Sequence, residues 1–166
     1  MMKKLLLCLL IILLLSISTA CNRNNNAPEN IFNAITFVSD FNAAAAVVGA
    51  PQLNLAELEP IIGTSANEDG RYDSLMAHEG LLNIGALMMH PNRIWSAGRP
   101  NNLEQATTEY IAMVMAAANL NQSDAANLVD QLLSTEESEF SLIQSGIRFT
   151  ISVTEGNIIS LIAEAE

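Results

Sequence analysis

The chain has 166 residues, and its 18 acidic side chains outnumber its seven basic ones, giving a formal net charge of −11 at pH 7. Nucleic acid repels so acidic a chain, and the sequence lacks the cationic patches that phosphate recognition needs, so nucleic-acid binding is excluded. Only two cysteines are present, Cys8 and Cys21.

The first 20 residues have the three-part order of a secretory signal peptide. Lys3 and Lys4 precede an unbroken apolar run from Leu5 to Leu15, and small residues follow up to Ala20. The run is short for a membrane-spanning helix, which needs about 20 apolar residues. We therefore expect residues 1–20 to be removed on export, with a retained signal anchor as the alternative.

Export would change both the charge and the cysteine content of the chain. Both lysines would leave with the signal peptide, so five arginines would face all 18 acids, a net charge near −13. Cys21 would be the first residue and the only cysteine left. An intramolecular disulfide and a zinc site built on thiolates are therefore excluded in the exported chain.

The stretch Ser18-Thr19-Ala20-Cys21, behind Ile17, resembles the cleavage box of bacterial lipoproteins. The resemblance implies that the Cys21 thiol carries a diacylglyceryl group and that acyl chains such as palmitate anchor the protein in a membrane. Two or more acyl chains give stable anchoring. Asn22 replaces the aspartate that retains many such proteins in the inner membrane, which favours the outer membrane. Ser18 and Ala20 also suit an ordinary signal peptidase, so a soluble periplasmic or secreted protein with a free thiol is the alternative.

Residues 21–27 are predicted to be the acylated cysteine and an asparagine-rich tether, followed by one globular domain at residues 28–166. The tether has no apolar periodicity, and its last six residues reach at most about 20 Å. We therefore expect the domain to lie close to its membrane.

The first half of the domain is predicted to be helical. Apolar residues at helical spacing predict a helix from Pro28 to Val48, ended by Gly49. A short helical turn follows at Leu55–Glu59. A second long helix is predicted from Asp73 to Met89, and residues 91–102 are predicted to form a loop.

The second half is predicted to contain three more helices and a hairpin. Asn101 with Glu104 predicts a helix to about Leu120, a fourth runs from Ser123 to Leu133, and Ser134 with Glu137 predicts a fifth, although residues 139–144 could instead be a strand. Alternating apolar residues at 147–153, the turn TEGN and the segment IISLIA predict a β-hairpin. The expected fold class is α+β but mostly α, with four or five helices packed against a C-terminal antiparallel hairpin.

Two groups of residues partly resemble metal sites, but neither has a complete ligand pattern. Residues 65–76 partly match a calcium loop, but Ser65 and Met76 replace the first and last carboxylate ligands, so a polar loop is the favoured interpretation. His78 and His90 lie twelve residues apart, about 120° around a helix, and cannot share a metal on one face. We therefore expect neither metal nor cofactor.

The segment at residues 91–102 is the best candidate for a contact surface. It concentrates Arg93, Trp95 and Arg99, residue types that dominate binding hot spots, between prolines that limit the entropy lost on binding. The alternative is that Trp95 closes the end of a helical bundle while the arginines pair with acids.

These observations favour a non-enzymatic envelope lipoprotein that binds another envelope protein through Arg93, Trp95 and Arg99. The alternative is a small periplasmic hydrolase or metal-dependent enzyme using His78, Glu79 and Asp73. A third possibility, a self-associating subunit, rests on the broad apolar face of residues 31–48.

Overall fold

The structure is a computed structural model that describes residues 32–64, 66, 73–154 and 156–166. The helices in these ranges are α1 (Ala34–Val48), α2 (Leu103–Ala118) and α3 (Gln122–Leu133), with a 3₁₀ turn at Leu55–Glu57. The strands are β1 (Glu59–Pro60), β2 (Leu75–Ala77), β3 (Ala86–His90), β4 (Arg93–Gly98), β5 (Glu139–Gln144), β6 (Ile147–Thr154) and β7 (Ile158–Ala165).

All seven strands form one antiparallel sheet in the order β1-β2-β3-β4-β7-β6-β5. The chain leaves the sheet after β4, forms α2 and α3, and returns so that β7 lies between β4 and β6. The three helices cover one face of the sheet. The core between the two layers is formed by helical side chains and by every second strand residue; its largest buried members include Phe41, Tyr110, Met113, Leu132, Leu87, Met89, Ile94, Phe149 and Leu161.

The expected fold class was wrong, because two of the five predicted long helices and the predicted loop at residues 91–102 form strands of a seven-stranded sheet. Residues 73–89 contain β2, a turn and β3 instead of a helix. Gly80 and Gly85 have φ of +98° and +86°, a conformation that interrupts a right-handed helix. The predicted loop at residues 91–102 contains β4, which pairs with β3 across a tight turn at Pro91. The molecule is a sheet-rich α+β fold.

The predicted fifth helix is also a strand. Residues 139–144 form β5, and Ser145 and Gly146 join it to β6. Both turn residues have positive φ, +53° and +76°, as in the two-residue turns whose twist matches a hairpin. The capping-box pattern at Ser134 and Glu137 therefore did not start a helix.

The structure confirms several of the other predicted elements. The helices predicted at 101–120 and 123–133 are confirmed as α2 and α3, with Asn102 and Asn121 as their caps. The C-terminal hairpin is present as β6 and β7, as part of the larger sheet. The first helix begins at Ala34 rather than Pro28, because the Asn33 side chain accepts hydrogen bonds from two N–H groups of the first turn.

The signal peptide, Cys21 and the tether lie outside the described residues. Within the described ranges, none of the helices combines the length and the apolar character needed to cross a membrane.

Candidate functional site

The two faces of the sheet have different surroundings. Strand side chains alternate between faces, and directly paired residues on neighbouring strands share a face. Every buried strand residue, such as Leu87, Ile94 and Phe149, belongs to the set that faces the helices. The other set faces away from them, and we call this surface the open face.

A row of large apolar side chains crosses the middle of the open face. Met76 pairs with Met88, Met88 with Trp95, and Trp95 with Ile162, so the row passes over four adjacent strands. Strands lie about 4.8 Å apart, so the row is about 14 Å long. All four side chains are half-buried. A solvated sheet face normally carries polar residues, so four apolar ones in a row make this face a candidate contact surface.

Trp95 is held in a fixed orientation within this row. Its indole Nε1–H donates a hydrogen bond of 2.6 Å to Ser160 Oγ on β7. Ser160 lies directly opposite Ala97 in the next row, which also contains Ala86 and Ser152. These small side chains leave room for the indole to lie along the sheet. A tryptophan whose orientation is already fixed loses little entropy when a partner covers it.

Ion pairs lie on the other side of the apolar row. Arg93 Nη2 is 2.8 Å from Glu164 Oε1, and Arg148 Nε donates to Glu166 Oε1 at 2.6 Å. Arg93, Glu164 and Arg148 are directly paired across β4, β7 and β6. These side chains are between a third and a half exposed, so each pair contributes little to stability, about 0–1 kcal/mol. They leave a polar rim beside an apolar centre.

Charge is distributed unequally between the two sides of the molecule. The described ranges contain three arginines and no lysine. Arg93 and Arg148 lie on the open face, and Arg99 directly follows β4, with its guanidinium against Gly156 at the β6–β7 turn. The three helices, which cover the opposite face of the sheet, carry acidic side chains but neither lysine nor arginine. The described arginines therefore lie on the open face or at the end of β4, and on the open face they offset the charges of Glu164 and Glu166.

The structure brings together two of the three predicted contact residues. Arg93 and Trp95 are two positions apart on β4 and share the open face, so Trp95 does not close the end of a helical bundle. Arg99 lies beyond the other end of β4, where it lines a cleft of about 430 Å³ with Glu79, Asn83 and Asn101. The sequence did not indicate Met76, Met88 or Ile162, since the first two were placed on a helix and the third is distant in the chain.

The two histidines considered for catalysis or metal binding have different partners. His78 Nε2 pairs with Glu59 Oε2 at 2.9 Å, with both side chains exposed. His90 Nδ1 lies 3.2 Å from Ser74 Oγ, so Ser74 contacts His90 rather than His78. In the part of the chain that the structure describes, no three His, Cys, Asp or Glu side chains are placed to hold a metal. Most of the segment compared with a calcium loop lies outside that part.

The buried carboxylate of Glu109 on α2 was not predicted. Its side chain is fully buried, and it accepts hydrogen bonds of 2.8 Å from Asn83 Nδ2 and from the Ile84 N–H. The adjacent Tyr110 is buried as well; burial, and then the charge of Glu109, raise the pKa of its hydroxyl well above the usual value. Glu109 therefore holds the turn between β2 and β3 against α2.

The apolar face of α1 is also accounted for. Phe37, Val38 and Phe41 are buried in the core, while Val47 is 59% exposed. The face proposed for self-association therefore packs mainly against the rest of this domain.

Comparison with known proteins finds no matching family model, and no curated protein or solved structure is significantly similar to the chain. The open face is thus interpreted from its own chemistry.

Proposed function

We propose that the exported chain is a non-enzymatic, membrane-tethered module of the cell envelope that binds another envelope protein through the open face. The observation that carries this proposal is the half-buried apolar row of Met76, Met88, Trp95 and Ile162, on the sheet face that the helices do not cover. Arg93 adds a charged contact beside Trp95. Aromatic and arginine side chains around a desolvated centre are typical of binding hot spots.

The place where the described chain begins fits a tethered module. The Phe32 N–H donates to the Pro91 carbonyl at 2.8 Å, so the chain enters the domain at the β3–β4 turn. From Cys21, acylated in our proposal, to Phe32 the chain can reach at most about 40 Å. In this proposal the tether joins the domain at the β3–β4 end of the sheet, which carries His90 and Arg93. We propose the outer membrane as its location.

Photocrosslinking in the envelope of a Gram-negative host tests the binding surface. A photoreactive amino acid at Met88 or Ile162 is expected to give one discrete protein adduct, which Trp95→Ala weakens. The same amino acid at Gln105, exposed on α2, serves as a control outside the open face, and Glu104→Ala on that helix is the control for Trp95→Ala. Adducts of equal strength from Met88 and Gln105, or adducts unaffected by Trp95→Ala, would contradict the proposal.

The intact mass of the exported protein tests the anchor separately. Acyl chains on Cys21 are expected, and Cys21→Ala should abolish them and the attachment to the membrane. An unmodified chain that begins at Cys21 would show a soluble exported protein and would leave the open-face proposal standing.

A further inference from the structure

The two edges of the sheet differ in how they are protected. β1, at one edge, is only two residues long and ends in Pro60. β5, at the other edge, is six residues long, and its sequence EFSLIQ contains no proline, glycine or lysine. Natural sheets block free edges with short strands, proline or lysine. β5 uses none of these devices and is open to pairing with another strand.

The register of β5 fixes which of its backbone groups point outward. The Val153 N–H donates to the Ser138 carbonyl at 2.9 Å, and the same antiparallel register continues along β5 and β6. Because alternate residues bond to the neighbouring strand, Phe140, Leu142 and Gln144 bond to β6. The backbone N–H and C=O groups of Glu139, Ser141 and Ile143 therefore point away from the sheet. No described residue forms a hydrogen bond with them.

A groove lies beside this free edge. It has a volume of about 240 Å³ and is lined by the end of β5 and by α3, through Asp124, Asn127, Leu128, Gln131, Leu142, Ile143 and Gln144. Ile143 is 56% exposed. An added strand could place alternate side chains in this groove and the others beside Ser141 and Ile143 on the open face.

The charges around the edge favour a basic occupant. α3 and the segment that leads into β5 carry only acidic charges, namely Asp124, Asp130, Glu136, Glu137 and Glu139, all exposed. The one described cation beside the edge, Arg148 opposite Ile143, is already paired with Glu166. We propose that β5 binds, by strand addition, an extended basic segment of a partner protein in which cationic and apolar residues alternate. A second copy of the chain fits less well, because it would bring the same acidic side chains against each other. This site is separate from the apolar row, so it does not rest on the proposed function.

Synthetic peptides test the proposal on the full chain in detergent micelles. The probe is a labelled peptide of alternating lysine and valine, compared with an alternating glutamate–valine peptide and with a lysine–valine peptide of the same composition arranged in blocks. Fluorescence anisotropy is expected to show binding of the alternating lysine peptide only. Binding should weaken when salt is raised from about 0.01 M to about 0.15 M.

Two variants at one position test the backbone contact. Ile143→Pro removes an outward N–H without touching the bonds to β6, as edge strands tolerate, and leaves all charges in place. It should weaken peptide binding about tenfold, whereas Ile143→Val, which keeps the N–H, should not. Trp95→Ala should have no effect. If circular dichroism shows that Ile143→Pro is unfolded, the double variant Asp130→Asn with Glu137→Gln replaces it, and the expected result is again weaker binding.

Three results would overturn the proposal. The first is no binding of the alternating lysine peptide. The second is equal binding of the block peptide, or of the folded proline variant, which would show attraction by charge alone. The third is a concentration-dependent dimer of the wild-type chain that Ile143→Pro abolishes, which would make a second copy the occupant.

Discussion

Truncating the buried carboxylate of Glu109 should destabilise the fold more than any exposed substitution on the same helix. Glu109→Ala leaves the Ile84 N–H and the Asn83 amide without their acceptor, in a site that is fully buried at Glu109. Hydrogen bonds to a charged group contribute about 1.5–3 kcal/mol each, and Asn83 is only half-buried, so we expect a loss of about 3–5 kcal/mol. Glu109→Gln keeps one acceptor oxygen and should cost about half as much.

Urea unfolding, followed by circular dichroism and by the emission of Trp95, the only tryptophan, measures this loss. The same loss corresponds to a fall in Tm of roughly 6–20 °C. Asn83→Ala removes one of the two hydrogen bonds and should cost about 1 kcal/mol. Glu104→Ala, on the exposed first turn of α2, should change stability by less than about 0.5 kcal/mol. If Glu109→Ala were no more destabilising than Glu104→Ala, the assignment of Glu109 as the residue that fixes the β2–β3 turn would be wrong.

Three further substitutions test the sheet. A Cβ on Gly98 would lie 2.5 Å from Gly85 Cα, so Gly98→Ala should cost at least about 2 kcal/mol in urea unfolding, and an unchanged midpoint would contradict this close approach. Gly146→Ala places a side chain at φ +76° and should lower the free energy of unfolding by about 1 kcal/mol. Ser145→Gly, at φ +53°, should be neutral or stabilising. If Ser145→Gly were the more destabilising of the two, the turn conformation would be wrong. Ser160→Ala removes the hydrogen-bond acceptor of the Trp95 indole, so it should reduce the near-ultraviolet circular dichroism of Trp95 and lower the free energy of unfolding by about 1 kcal/mol. An unchanged circular dichroism signal would show that other contacts hold the indole in place.

The helices α2 and α3 could be predicted because their start signals are local. Asn102 and Asn121 each accept a hydrogen bond from an N–H in the first turn, so each lies within two residues of the predicted starts at Asn101 and Ser123. The strands β3 and β4 could not be predicted in this way, because their outward-facing residues are apolar too. Met88 next to Met89, and Trp95 next to Ile94, remove the alternation by which a half-buried strand is normally recognised.

The candidate site was predictable only in part for a related reason. The composition around Arg93 and Trp95 indicated a contact surface, but Ile162 is placed beside Trp95 by the return of β7 to the sheet, which follows from the tertiary fold alone. Nothing in the sequence around Glu109 distinguishes it from an exposed glutamate on a helix, and its hydrogen-bond partners lie about 25 residues earlier in the chain. The site is thus defined by contacts between residues far apart in the chain, whereas the sequence patterns indicate only interactions between residues close together in it.

The two proposed surfaces call for partners of different chemistry. A chain this acidic repels acidic proteins, but on the open face Arg93 and Arg148 each neutralise a paired glutamate beside the apolar row. The open face can therefore accept a neutral surface with an apolar centre. The β5 edge, beside the acidic side chains of α3 and of the segment before β5, favours a basic segment. A partner lost on Trp95→Ala but retained on Ile143→Pro belongs to the first surface, and the reverse pattern assigns it to the second. Because the variants separate the surfaces, either proposal can fail without the other.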